Sequence, residues 1–249
     1  MKGVILAGGL GTRLYPLTHA TNKHLLPVYD KPMIYYPIQT LVKAGIKEIL
    51  IVVSGPHSGH FIHVLKNGKE FGIDHVEFAY QEKPNGGIAD ALALAEDFAD
   101  HDSITTILGD NTTDADISTA VRSFKKGALI FLKEVPDPQR FGIARFAEGN
   151  PKTIVEIIEK PKSPPSKMAV TGLYIYDYQV FDFIKKCDPG FAGRNELEIT
   201  EVNNFYIKAN QLTWAPLKGY WLDAGTFDSL FLANAYWAKK RNPKLSRDL

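Results

Sequence analysis

Near its N-terminus the chain carries Gly8, Gly9, Gly11, Arg13 and Lys23, which together have the means to hold an anion. The turn Gly8-Gly9-Leu10-Gly11-Thr12 has few Cβ atoms to keep a ligand from the backbone and can reach angles other residues avoid. Successive N–H groups in such a turn can converge on an oxyanion. Arg13 adds a fixed guanidinium fork matched to phosphate oxygens, and Lys23 adds a point charge. Two aspartates stand close to glycines farther on: Asp110 directly after Gly109, and Asp223 in Trp221-Leu222-Asp223-Ala224-Gly225-Thr226. One or two carboxylates are the usual protein share of an octahedral Mg²⁺ site, in which water and substrate phosphates fill the other positions. Glu159-Lys160-Pro161 sets an acid beside a base at the end of an apolar run. Lys160 can neutralise a second phosphate, and Glu159 can accept hydrogen bonds from sugar hydroxyls. Each signal alone has a plainer reading: a tight turn without ligand, an aspartate capping a turn or helix, a solvated strand end. Taken together they describe a site for two phosphate-bearing molecules and a divalent cation.

Two common glycine motifs do not fit. A P-loop needs Lys-Ser/Thr after its last glycine, and Thr12-Arg13 follows Gly11. A dinucleotide fingerprint needs a third glycine where Leu14 stands, and that glycine is what lets helix and strand pack closely. An NAD-dependent oxidoreductase therefore finds little support.

The elements that must position these residues can be read from the spacing of apolar residues. Residues 2–7, 48–53, 76–80 and 104–108 are short apolar runs of the kind buried parallel strands show, each ending in a turn. Helical spacing is expected over 32–44, 57–65, 88–98 and 116–124. This alternation predicts an α/β fold: a three-layer, mostly parallel, Rossmann-like sheet with right-handed crossovers. The turn at 81–87, again glycine-rich and again between strand and helix, is where a flat base can lie against bare backbone. The second half reads differently, with strands at 128–135, 142–146, 153–159, 170–176 and 211–216 and helices at 178–187, 198–209 and 226–240. It is expected to form a sugar-binding layer grafted onto the first. Residues 1–249 thus form one domain, with about 1–125 as the nucleotide-binding half and about 126–249 as the sugar-phosphate half.

Composition narrows the function. With 29 Lys and Arg against 28 Asp and Glu, the net charge of +1 offers neither a nucleic-acid surface nor a polybasic membrane patch. A single cysteine, Cys187, excludes an internal disulfide framework and a multi-cysteine metal site. His57, His60 and His63 fall three apart, with no carboxylate or cysteine to complete a metal set. No signal peptide and no apolar run of about 18 residues is visible, so a cytoplasmic protein is expected. Tyr35, Tyr36 and Trp237, read as exposed aromatics, hint at a subunit contact and a homo-oligomer, dimer or tetramer.

The motifs in order resemble those of the sugar-1-phosphate nucleotidyltransferases. They are Gly8-Gly9-Leu10-Gly11-Thr12-Arg13-Leu14 with Pro16-Leu17-Thr18, Lys23, Leu25-Leu26-Pro27-Val28 and Asp30-Lys31-Pro32-Met33-Ile34. Leu108-Gly109-Asp110-Asn111, Glu159-Lys160-Pro161, Glu198-Ile199-Thr200-Glu201-Val202, Trp221-Leu222-Asp223 and Gly225-Thr226 follow. The resemblance is strongest to the branch serving dTDP-rhamnose and deoxysugar synthesis. It implies thymidylyl transfer from dTTP to α-D-glucose 1-phosphate with Mg²⁺, giving dTDP-glucose and pyrophosphate. It further implies that Gly8, Gly9, Gly11, Thr12, Arg13, Lys23 and His24 hold the nucleotide, and that Gln81 and Gly86 meet its base. Asp110, Asn111, Gly142, Glu159, Lys160 and Val170 would line the sugar phosphate, and Asp110 and Asp223 would hold the metal. Arg13, Lys23, Asp110, Lys160 and Asp223 would carry the catalysis.

Some residues depart from the family pattern. His24 stands where glutamine usually follows the motif lysine, which leaves open UTP in place of dTTP; another hexose 1-phosphate is a separate alternative. Thr112-Thr113-Asp114 replaces an aromatic-rich turn. Neither a product-feedback segment nor a hexapeptide β-helix is expected, the latter setting aside the ADP-glucose and acetylglucosamine branches. A non-catalytic nucleotide-sugar sensor is the remaining alternative, yet such proteins tend to lose the Arg, Lys or Asp that this chain keeps.

Overall fold

In the computed structural model, which describes residues 1–193 and 195–244, the first apolar run is β1 (Lys2–Ala7), and it feeds two cores at once. Val4 and Leu6 point to one face of the sheet and Ile5 and Ala7 to the other, as a period of two requires. A hairpin of two-residue strands, β2 (Pro27–Val28) and β3 (Lys31–Pro32), leads into α1 (Tyr35–Lys43). Next come β4 (Glu48–Val53), α2 (Ser58–Leu65), β5 (His75–Tyr80), α3 (Ile88–Ala93), α4 (Glu96–Ala99) and β6 (Ile104–Leu108). β4 and β6 flank β1 and β5 lies outside β4, all parallel. Ile38, Leu41, Phe61 and Leu65 cover one face, and Ala89, Leu92 and Phe98 the other. Each of these larger side chains contributes about 1.5–3 kcal/mol through burial. The three-layer α/β architecture is as expected.

The second half contains β7 (Asn111–Thr113), α5 (Ser118–Ser123), β8 (Ala128–Glu134), β9 (Gly142–Ala147), β10 (Asn150–Glu159) and β11 (Met168–Tyr176). It continues with α6 (Val180–Ile184), α7 (Ile199–Lys208), β12 (Leu212–Pro216), β13 (Trp221–Asp223) and α8 (Phe227–Arg241). β11 joins the two halves. Its later residues pair antiparallel with β6, while Ala169 near its start stands opposite Ile143 of β9. β8 follows its other edge, with a shift in register between Val170 and Tyr174. Gly172, at φ 73°, lies in that shift, and a methyl group built on it would come 2.7 Å from Leu108 Cδ1. A cleft opens here, at the ends of β1 and β6 where open α/β sheets take ligands.

Several expectations need correction. The helix expected over 88–98 is two pieces, because Ala95 N–H bonds Leu92 O and the chain restarts at Glu96. The break lets Ala89, Leu92, Ala95 and Phe98 all reach the core. The helix expected over 178–187 is only the five residues of α6. β7 and β13, too short for any periodicity, had no sequence signal and form a sheet of their own. Tyr36 and Trp237 are not exposed. They pack with ring centroids 4.5 Å apart in a third core formed by α1, β2 and α8, so the exposure expected of these two is absent.

Candidate active site

The pairing of β7 with β13 is what brings the two aspartates together. Asp223 stands opposite Asn111 in that register, and Ala224 N–H donates to Asp110 O at 3.0 Å. Asp110, two residues past the end of β6, therefore faces Asp223 across a short antiparallel ladder. Trp221 Nε1–H donates to Asn111 Oδ1 at 2.6 Å, and Asn111 Nδ2–H donates to Asp110 Oδ1 at 3.3 Å. Lys23 Nζ lies 2.6 Å from Asp110 Oδ2. A methyl group built on Gly225 would sit 2.7 Å from Asp223 Oδ1, 3.0 Å from Arg13 Nη2 and 3.5 Å from Asp110 Oδ2. Gly225 is thus the floor over which two carboxylates and a guanidinium meet, and a Cβ there would push their ends aside.

Burial alone would push the Asp110 carboxyl up, but the Lys23 ammonium and the hydrogen bonds from Lys23 and Asn111 outweigh it and hold it well below the usual carboxylate range. Asp223 is shifted the other way. Burial raises its carboxyl and the Asp110 charge raises it further, against weaker pulls from Lys23 and Arg13.

The glycine turn is partly satisfied from within. Gly9 N–H donates to Ser54 Oγ at 2.7 Å, Leu14 N–H to Gly11 O at 2.9 Å and Thr18 Oγ1–H to Gly11 O at 2.9 Å. The N–H groups of Gly11, Thr12 and Arg13 have no hydrogen-bond partner among the described residues. Gly11, at φ 66°, lets the turn lie against the stem of Lys23, where a Cβ would be 3.1 Å from the Lys23 Cβ.

Gly8, Gly9, Arg13, Lys23, His24, Gln81, Asp110, Asn111, Gly142, Glu159, Lys160, Val170 and Asp223 all line one cavity of about 600 Å³. Gly11, Thr12 and Gly86 do not line it; Gly87 does. A methyl group on Gly86 would overlap the Asp90 carboxylate, so this glycine makes room for a side chain rather than for a base. Gly87, at φ 97°, packs on the Leu197 backbone.

At the far end of the cavity Glu159 and Gly142 pair in register across β10 and β9. Thr200 Oγ1–H donates to Glu159 Oε2 at 2.6 Å, and Lys160 Nζ lies 3.0 Å from Glu159 Oε1. His24 is buried against Gly109, whereas Gln81 lies against Gly8, so the two approach the cavity from different strand ends. One oxygen, Asn22 Oδ1, takes the His24 backbone N–H at 3.0 Å and stands 2.7 Å from His24 Nδ1. An oxygen that accepts the backbone proton must accept the ring proton too, so Nδ1 carries hydrogen and Nε2 is bare. Burial, reinforced by Lys23, pushes the imidazole down to about 3.

Arg140, Glu198, Thr200 and Trp221 line the cavity as well; the last three stand in the motifs quoted above without a role of their own, and Arg140 stands in none. Arg140 Nη2 lies 3.8 Å from Asp223 Oδ2. Its only sequence signal is the run Asp137-Pro138-Gln139-Arg140-Phe141-Gly142, a proline turn delivering a cation to a strand start.

A family profile described as Nucleotidyl transferase matches residues 2–240. The chain belongs to that family. Among nucleotidyl transferases it is 42% identical over 242 residues to the glucose-1-phosphate thymidylyltransferase of Neisseria meningitidis, covering 95% of this chain and 82% of that protein. The enzyme of that name from Mycobacterium tuberculosis is 41% identical over 236 residues, covering 92% and 80%. A solved Bacillus anthracis structure, assigned as a glucose-1-phosphate thymidylyltransferase and in complex with a sucrose, superposes with a TM-score of 0.88 at 48% identity, covering 95% and 94%. The nucleotidyl transferase fold extends to an apo UDP-glucose pyrophosphorylase at 22% identity and a TM-score of 0.82, over 97% and 99% of the two chains.

Proposed function

We propose that this nucleotidyl transferase moves a thymidylyl group from dTTP to α-D-glucose 1-phosphate, releasing pyrophosphate and forming dTDP-glucose. The observation that carries this reading is the meeting of Arg13, Asp110 and Asp223 over Gly225, in one cavity with the Glu159–Lys160–Thr200 cluster. One end suits a triphosphate and the other a phosphorylated sugar. The relatives named above supply the choice of nucleotide and sugar. A volume of about 600 Å³ is within the range of small-molecule sites.

The chemistry asks little covalent work of the protein. A sugar phosphate near neutral pH is mostly a dianion, its second pKa being about 6, so no general base is needed. Its oxygen forms a bond to the α-phosphorus while the bond from that phosphorus to the bridging oxygen breaks, and pyrophosphate leaves with the electron pair. Catalysis is then alignment and charge neutralisation. Arg13, through its guanidinium and its free backbone N–H, takes the charge of the leaving pyrophosphate. Lys160 holds the attacking phosphate, and Glu159, fixed by Thr200, takes sugar hydroxyls. Lys23 neutralises Asp110 before substrate arrives and is placed to turn to the triphosphate.

A divalent cation fits Asp110 and Asp223. Asp223 is held high by burial and by its neighbour's charge, a condition a cation relieves. No group of three or more His, Cys, Asp or Glu suited to a metal exists among the described residues. An ion here would draw its other ligands from water and phosphate, as Mg²⁺ does. When bound, Mg²⁺ supplies charge stabilisation at phosphate oxygens.

Release of pyrophosphate on mixing the protein with dTTP, glucose 1-phosphate and Mg²⁺ tests the reading. UTP and galactose 1-phosphate in the same assay rank the alternatives, and no release with any pair points to a sensor instead.

A further inference from the structure

Gln81 directly follows β5, and 3% of it is exposed. Its backbone is fixed by Gln81 N–H to Val53 O at 2.8 Å. Its side-chain Nε2 donates to Asp90 Oδ2 at 2.7 Å and to Gly87 O at 3.2 Å. A carboxylate and a carbonyl only accept, so both amide protons are committed and the amide cannot be turned over. What remains is Oε1, which lies against Gly8 so closely that a methyl group there would be 2.6 Å away. Gly86 gives up its Cβ to admit the Asp90 carboxylate. Two bare glycines thus frame one oriented amide. Asp90 itself sits in the first turn of α3, a position that favours an acidic side chain.

We propose that Asp90 is a positioning residue that decides which bases the site accepts, by holding Gln81 with its carbonyl oxygen toward the base. The proposal rests on the cavity being a nucleotide site, as above. An acceptor in that place suits a base whose ring presents an N–H, as the imide of thymine and uracil does at N3. Cytosine presents a bare lone pair at N3, which would face Oε1 with no proton between them. Sites built around a buried hydrogen bond reject the analogue that lacks it far more strongly than apolar pockets reject a missing methylene.

The test is kcat/KM with dTTP, dUTP and dCTP against glucose 1-phosphate, for the wild type and for Asp90→Asn. The asparagine can offer its own N–H₂ to Gln81 Oε1, which leaves only the longer bond to Gly87 O to hold the amide in its original sense and lets Nε2 turn to the base. The dTTP:dCTP preference should fall at least tenfold in Asp90→Asn, through KM more than kcat. The dTTP:dUTP ratio should stay within twofold, because both bases carry the same imide. A merely loosened pocket would move both ratios. Asp90→Ser, whose hydroxyl can give or take a hydrogen bond, serves in the same way if Asp90→Asn does not fold. A dTTP:dCTP ratio within twofold of wild type in a folded variant overturns the proposal, as does a wild type that uses dCTP within tenfold of dTTP. Absence of wild-type turnover with dTTP sinks the functional reading instead, so the two failures are distinct.

Discussion

Lys23 Nζ lies 2.6 Å from Asp110 Oδ2, with side-chain exposures of 13% and 11%, across 87 residues of chain. A pair so far out of water is costly to desolvate, and removing one partner leaves a buried, uncompensated charge. It joins the glycine turn to the end of β6, the two parts of the first half that must meet around a triphosphate.

Asp110→Asn should therefore lower turnover by at least about a thousandfold while unfolding stays cooperative. Stability should fall by about 3 kcal/mol, because Lys23 loses its partner. Lys23→Met should cost a similar amount. The double variant should be more stable than either single one and equally inactive. Urea denaturation of the four proteins beside a pyrophosphate assay checks this. Additive losses in stability would show that the two charges do not act as a pair.

Asp223 carries the metal part of the reading. Added Mg²⁺ with dTTP should raise the melting temperature of the wild type, a stabilisation of about 2.7 kcal/mol at a hundredfold excess over Kd. Asp223→Asn should lose most of that shift and nearly all turnover while keeping its fold. EDTA should stop turnover in the wild type, and excess Mg²⁺ should restore it. Full activity in metal-free protein would remove Mg²⁺ from the mechanism.

The parallel half of the fold was legible because its signals are local. A six-residue apolar run such as Lys2–Ala7, ended by glycines, can hardly be anything but a buried strand before a turn. The candidate site was legible where glycine stands beside charge, at Arg13, Asp110 and Asp223. β7 and β13 were not, since three residues carry no periodicity and their pairing depends on partners about a hundred positions apart. The resemblance assigns Gly86 to the base, but the fold turns its Cα toward Asp90 and leaves the lining to Gly87. Tyr36 and Trp237 misled for a related reason. Aromatics on helices at opposite ends of the chain find each other only through tertiary packing.

Thr200 holds Glu159 by a 2.6 Å hydrogen bond, and both line the end of the cavity assigned to the sugar. Thr200→Val keeps the shape and removes the donor. Hydrogen bonds to charged groups contribute about 1.5–3 kcal/mol, so KM for glucose 1-phosphate should rise about tenfold or more, with KM for dTTP unchanged. Thr200→Ser should recover most of the loss. Equal rises in both KM values would place this cluster outside the sugar subsite.

His24 gives a stability signature that needs no substrate. Its imidazole is pushed down to about 3 in the fold from an ordinary value of 6.5, burial being the main cause. Between those two values the unfolded chain binds a proton that the folded one refuses. Unfolding free energy therefore rises with pH across this window and is lost as pH falls below about 6.5. From pH 7 to 5 the loss from this one ring is about 2 kcal/mol. Asp223 acts with the opposite sign, because its raised carboxyl binds a proton in the fold first, and that contribution is common to wild type and a His24 variant and so cancels in their difference. His24→Gln keeps a side-chain N–H for Asn22 and cannot titrate. Urea midpoints at pH 7, 6 and 5 should show the wild type losing about 2 kcal/mol more than the variant over that span. Parallel curves would mean that the ring takes up its proton inside the folded protein, and that neither the Asn22 clamp nor the wall of Gly109 keeps water from it.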